Sequence, residues 1–273
     1  NARFVKESGL HKGSRVKKGV TGTRVRFWPD RQIFTKDASF QYDDLVARAR
    51  QTSFIVPGLE LVITDLRPDE PVTESFKHDG GIAEFCEFLS HDEPVTEVLR
   101  LQGSQTFTET VPLLDDRGHM TPQDVERELG VDVALRWGTG YDAQVRSFVN
   151  VIATPKGGTH VSGFESALTK SFNNAMKSAR VLKANDQDVI KEDILEGLVA
   201  VVTVRLAEPQ FEGQTKEVLG TPAASRIVSR VVAKELKALL TSTRRGEKAQ
   251  AKTILEKVAS AARTRVAARQ HKE

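Results

Sequence analysis

One short string in the C-terminal third combines residue types that bind anions: Pro209-Gln210-Phe211-Glu212-Gly213-Gln214-Thr215-Lys216. Lys216 offers the compact positive charge that meets a phosphate. Gln214 offers amide donors for phosphate oxygens or for an attacking water. Gly213, just before them, permits a sharp backbone turn. The string follows Leu198–Leu206, an almost unbroken, valine-rich apolar run that predicts a buried central strand. A loop leaving such a strand can present side chains beyond the body of its domain. By residue type alone the loop reads two ways, because most exposed Gln-x-Lys triplets are solvated and hold no ligand.

The other chemistry-bearing residues point to packing. Cys86 is the single cysteine and sits among Ile82, Phe85, Phe88 and Leu89. It predicts a small core residue, excludes an internal disulfide and fits a reducing cytoplasm. His11, His78, His91, His119, His160 and His271 lack metal-ligand spacing, so no metal site is expected. His160, after Gly157-Gly158-Thr159, is expected to orient its loop. Glu192, Asp193 and Glu196 share a helical spacing that fits capping and surface pairing better than acid–base chemistry. Trp28 and Trp137 are expected in packing.

Charge is unevenly spread. Residues 1–31 hold nine Lys/Arg against two Asp/Glu, and residues 221–273 hold thirteen against four, although the whole chain is only +3. The intervening stretch is therefore strongly acidic. In the last helical pattern, Ala251, Ile254, Leu255, Val258, Ala261, Ala262 and Val266 form an apolar side, with Lys252, Lys257, Arg263, Arg265 and Arg269 outside it. Such a basic face is either a solvated helix surface or a surface that meets nucleic-acid phosphates.

The elements that must position these groups follow from periodicity. Strands are predicted at Arg24–Phe27, Leu59–Asp65, Val131–Trp137, Gln144–Ile152 and Leu198–Leu206. Helices are predicted at Tyr42–Phe54, Ile82–Leu89 and Phe164–Lys183 and in two C-terminal stretches separated near Thr241–Gly246. Residues 91–130 read as polar and irregular. No run of about 18 apolar residues exists and no apolar segment follows the first charges, so neither a membrane span nor a signal peptide is expected. The pattern is α+β with a helical appendage.

Several strings together resemble the ATPase (B-type) subunits of bacterial type IIA DNA topoisomerases, gyrase and topoisomerase IV, which belong to the GHKL ATPases. They are Thr21-Gly22-Thr23-Arg24-Val25-Arg26-Phe27-Trp28-Pro29-Asp30, Phe148-Val149-Asn150, Gly157-Gly158-Thr159-His160 with Gly163-Phe164 and Ala167-Leu168-Thr169, Glu192-Asp193 with Glu196-Gly197-Leu198, and Phe211 to Lys216. They stand in family order and cover nearly the whole chain. The resemblance implies that residues 1–35 end a GHKL ATPase domain with its last strands. Residues 36–220 would form a transducer core, a split β-α-β domain of ribosomal-protein-like fold. Residues 221–273 would be long helices lining a DNA cavity.

The resemblance also assigns roles. Gln214 and Lys216 contact the γ-phosphate of ATP, with Lys216 the catalytic candidate, and Thr23 lies by the adenine pocket. ATP and Mg²⁺ are bound mainly by an upstream ATPase region, whose catalytic glutamate, Mg²⁺-binding asparagine and ATP lid have no counterpart here. The chain alone is therefore expected to be inactive. Duplex DNA would meet Lys252, Lys257, Arg263, Arg265 and Arg269. An A-type subunit and self-dimerisation of the ATPase region are the implied protein partners, with no membrane. Competing readings are a mismatch-repair-type GHKL ATPase fragment and a non-enzymatic nucleic-acid-binding module. The long 92–130 segment and the Arg-Phe-Trp-Pro-Asp string lean towards a topoisomerase IV-like subunit. Ile194-Leu195 stand where the family usually has an arginine, which puts any ion pair of that arginine in doubt.

Overall fold

The computed structural model describes residues 13–35, 37–114, 118–182 and 186–270, in two compact units divided between Gln41 and Tyr42. No described residue of the first unit lies in a helix or strand. This corrects the expected strand at Arg24–Phe27. A strand persists only where a second strand takes up its N–H and C=O groups, and no described residue of this unit pairs with it. Val25 and Phe27 stay exposed, and so does Trp28, at 71%, where packing was expected. The Arg26 guanidinium lies 4.6 Å over the Trp28 ring.

The second unit runs α1 (Tyr42–Ile55), β1 (Leu61–Asp65), β2 (Val72–Phe76), α2 (Gly81–Leu89), β3 (Leu99–Leu114), β4 (Met120–Trp137), β5 (Gln144–Val149), β6 (Ile152–Ala153), α3 (Thr159–Ser178), α4 (Lys191–Leu195), β7 (Leu198–Leu206), α5 (Pro222–Leu240) and α6 (Arg245–Gln270). Strands β1 and β2 pair with each other, and the main sheet has the order β3-β4-β7-β5-β6. Central β7 is antiparallel to β4 and parallel to β5. Leu198, Ala200, Val202, Val204 and Leu206 point into one core with α3, α5 and α6. Val201 points into a second core with Phe54, Phe85 and Cys86 of α1 and α2. Helices thus cover both faces of the sheet, which is why β7 is apolar nearly throughout.

Three expectations are corrected here. Strands β5 and β7, joined through α3, are direct neighbours, so no strand splits this β-α-β unit. The hairpin strand β4 occupies the other edge of β7 instead. Within the 91–130 stretch, residues 99–114 and 120–130 are not irregular: β3 and β4 form one antiparallel ladder from Leu99↔Leu135 to Leu114↔Met120. Its outer half is solvated on both faces, so it has no apolar alternation to read, and cross-strand pairs such as Thr110 Oγ1 donating to Asp124 at 2.6 Å hold it. Finally, α5 and α6 are not an appendage, since Ile227, Val228, Val232, Ile254 and Val258 are buried in the main core.

Candidate functional site

Leaving β7, the chain turns sharply at Glu208, whose φ is +51°. It then doubles back on itself. Gly220 N donates to Gln210 O at 2.8 Å, and Glu212 N donates to Val218 O at 2.9 Å. The tip between these rungs contains Gly213 (φ +85°) and Lys216 (φ +58°). The left-handed region costs a non-glycine residue on the order of 1 kcal/mol, so Lys216 keeps it only because the rungs close the loop around it. Gln214, Thr215 and Lys216 are exposed. Neither the Gln214 amide nor the Lys216 ammonium bonds a described side chain, so both remain available to a ligand.

The second family-like loop clamps this one. Leu219 N donates to Gly157 O at 3.1 Å and Thr159 N to Leu219 O at 2.9 Å. Thr159 Oγ1 donates to Thr221 O at 2.8 Å. Gly158, at φ +131°, crosses the Leu219 backbone so closely that a Cβ would lie 2.4 Å from Leu219 N and O. Lys156 Nζ pairs with Glu217 at 2.7 Å. Lys156 first, and then Thr215, hold the Glu217 carboxyl below the usual carboxylate range. That carboxylate is therefore occupied and does not compete for Lys216. Sequence reasoning missed the Lys156–Glu217 pair, because its members are 61 residues apart and no local pattern links them.

His160 sits at the start of α3, fully buried. Its Nε2 lies 3.2 Å from Thr154 Oγ1, which in turn lies 2.8 Å from Ser147 Oγ. Burial lowers its pKa to about 4, so it is neutral at neutral pH. It braces the Gly-Gly-Thr loop from inside and reaches no ligand-facing surface. Thr23 is exposed in the first unit.

The five basic candidates on α6 separate in the structure. Lys252, Arg263 and Arg269 are exposed and Lys257 is half-buried. Lys252 makes a loose surface pair with Glu256 at 3.7 Å. Arg265 is different: Nε and Nη2 grip the two Asp193 oxygens at 2.8 and 2.9 Å. With Arg265 17% and Asp193 3% exposed, this pair holds α6 to α4 and leaves Arg265 no free fork for DNA. Asp193 also caps α4, accepting from Ile190 N at 2.9 Å. Capping was expected for it, and burial was not.

The donor set at the loop tip, an ammonium and an amide both unpaired among the described residues, fits a phosphate group. No cluster of metal-ligating side chains occurs among the described residues, and none of their helices is long and apolar enough to cross a membrane.

Comparison with known proteins gives this geometry a setting. The DNA gyrase B family profile matches residues 81–273. The DNA gyrase B protein of Clostridium acetobutylicum is 35% identical over 255 residues, covering 92% of this chain and 36% of that protein. Its counterpart from Streptococcus pneumoniae serotype 4 is 36% identical over 254 residues, covering 93% and 36%. The chain thus spans about a third of the length of these relatives. Among solved structures, the 43K ATPase domain of Thermus thermophilus gyrase B in complex with an aminocoumarin matches with a TM-score of 0.66 and 30% identity, over 89% of this chain and 59% of that one. A family profile that covers most of the chain, including both interlocked loops, shows that the chain belongs to the DNA gyrase B family.

Proposed function

We propose that this chain is the transducer segment of the ATPase subunit of a type IIA DNA topoisomerase. In this role it couples ATP binding and hydrolysis to closure of a DNA gate and to strand passage. The observation that carries this reading is Lys216, unpaired among the described residues, at the tip of a loop locked to the Gly157–His160 loop, in a chain of the gyrase B family. Bound ATP supplies a γ-phosphate, with Mg²⁺ held by the ATPase region. Lys216 places its ammonium on that phosphate, Gln214 donates its amide N–H, and Thr23 lies by the adenine. A charge contact present in only one nucleotide state gives the differential affinity that a switch requires. Turnover needs residues beyond this segment, and the segment alone hydrolyses no ATP. Lys252, Lys257, Arg263 and Arg269 face the captured duplex, while Arg265 holds the helix that carries them. The A-type subunit and a second copy of the ATPase subunit complete the assembly.

The test is made in the complete subunit. Lys216→Ala lowers ATP turnover about 10²–10³-fold, the usual loss for one preorganised charge contact. Its melting temperature stays within about 2 °C of the parent, because an exposed side chain has been removed. Lys216→Arg recovers only part of the rate, since a guanidinium is larger and differently hydrated. Parental turnover in Lys216→Ala overturns the assignment.

A further inference from the structure

The leading limb of the Gln214–Lys216 loop is gripped from the β3–β4 hairpin. The side chain of Arg127, on β4, is only 8% exposed. Its Nε lies 2.8 Å from Glu109 Oε2 on β3, an ion-pair contact without hydrogen-bond geometry. The same guanidinium pairs with Glu208, where the chain leaves β7, and its Nη1 donates to Ala207 O at 3.4 Å. The other oxygen of Glu109 accepts from Gln210 Nε2 at 2.7 Å. Gln210 N also donates to Thr221 Oγ1 at 3.0 Å. One half-buried guanidinium and one bridging carboxylate thus tie residues 207, 208 and 210 to the hairpin. Glu208 holds a left-handed φ of +51°, a conformation that a non-glycine residue keeps only where its surroundings enforce it. A half-buried guanidinium is held by its partners, and here two of them, Ala207 and Glu208, launch the loop.

We propose that Arg127 is a positioning residue for the Gln214–Lys216 loop, fixing the limb from which Lys216 is presented to phosphate. This rests on the reading of Lys216 as the phosphate contact. A charge already held in place stabilises developing charge more than one that must be ordered on contact. Without the clasp, Lys216 is still present but wanders, so its contribution shrinks without vanishing. The hairpin is thereby part of the machinery that sets ATP turnover, although it touches no nucleotide.

The experiment is a double-mutant cycle on ATP turnover in the complete subunit, with melting temperatures measured in parallel. Arg127→Ala lowers kcat about 5–20-fold, a fraction of the Lys216→Ala loss. In a Lys216→Ala background it causes no further loss, because it acts through Lys216. Arg127→Lys recovers part of the rate, since a single ammonium cannot span the same acceptors. Glu208→Gln changes an exposed carboxylate and lowers kcat in the same direction with an unchanged melting temperature. It decides the matter if Arg127→Ala fails to fold. Additive losses in the cycle, or parental kcat in Glu208→Gln, overturn the positioning role while leaving the Lys216 contact standing. Parental turnover in Lys216→Ala overturns both.

Discussion

His160 has a chemistry set by burial rather than by reactive partners. The ordinary histidine pKa of about 6.5 falls to about 4 in the fold. Between those values the unfolded chain binds more protons than the folded one, so stability falls as pH falls across the window. The contribution is complete above about pH 6.5, declines by about 1.4 kcal/mol per pH unit below it, and is gone near pH 4. His160→Gln removes this term along with the buried ring. The variant melts below the parent at pH 7.5, and the gap narrows by pH 5. A gap that stays constant between those pH values would show that the ring is not buried neutral. Cys86 obeys the same rule: burial pushes its thiol up to about 12, so it packs and does not react. Lys216 is the converse case, a charge left in solvent with no partner among the described residues.

At the scale of elements, the pair between α4 and α6 ties two helices through residues far apart in the chain. Ile194 is fully buried, and its carbonyl accepts from Trp137 Nε1 at 2.9 Å. The adjacent Asp193 takes its arginine from 72 residues away, in Arg265. Removing one member leaves an uncompensated buried charge, a loss of about 3–5 kcal/mol. Chemical denaturation of Arg265→Ala checks this against Arg263→Ala, an exposed change expected within about 0.5 kcal/mol of the parent. Equal effects from the two would mean that the α4–α6 pair contributes nothing. The β3–β4 hairpin teaches a related lesson. Phe107, Leu129 and Val131 alternate inward near its base, but the outer rungs are solvated on both faces. Strand pairing there rests on backbone bonds and cross-strand pairs, which leave no apolar period in the sequence.

For the whole molecule, the basic C-terminal balance is the feature on which the proposed contact with DNA rests. Lys252, Arg263 and Arg269 lie exposed along one helix. Each phosphate neutralised by a cation adds roughly 0.9 to the slope of log affinity against log salt. Changing all three to alanine in the complete subunit should reduce that slope for duplex binding by about three. The ratio of DNA-stimulated to unstimulated ATPase should fall with it. An unchanged slope and ratio would leave these residues as a solvated helix face.

Composition and pattern alone determined the central elements. The valine-rich Leu198–Leu206 run, the α5 stripe of Ile227, Val228, Val232 and Leu236, and the break near Thr241 all appear where the periodicity predicts them. Local hydrophobic period is dictated by burial, and a strand covered on both faces or a helix covered on one writes it plainly. The family-like strings marked both interlocked loops for the same reason: Gly157-Gly158 and Gly213 mark backbone geometries that a local string can specify. The tertiary structure alone decided which side chains meet. It joined Arg127 to Glu109 and Glu208, Lys156 to Glu217, and Arg265 to Asp193. It also decided that β5 and β7 lie side by side and that Arg24–Phe27 forms no strand among the described residues. Ion pairs and strand neighbours join residues tens of positions apart through sheet register and helix packing, and no local window of sequence contains both partners.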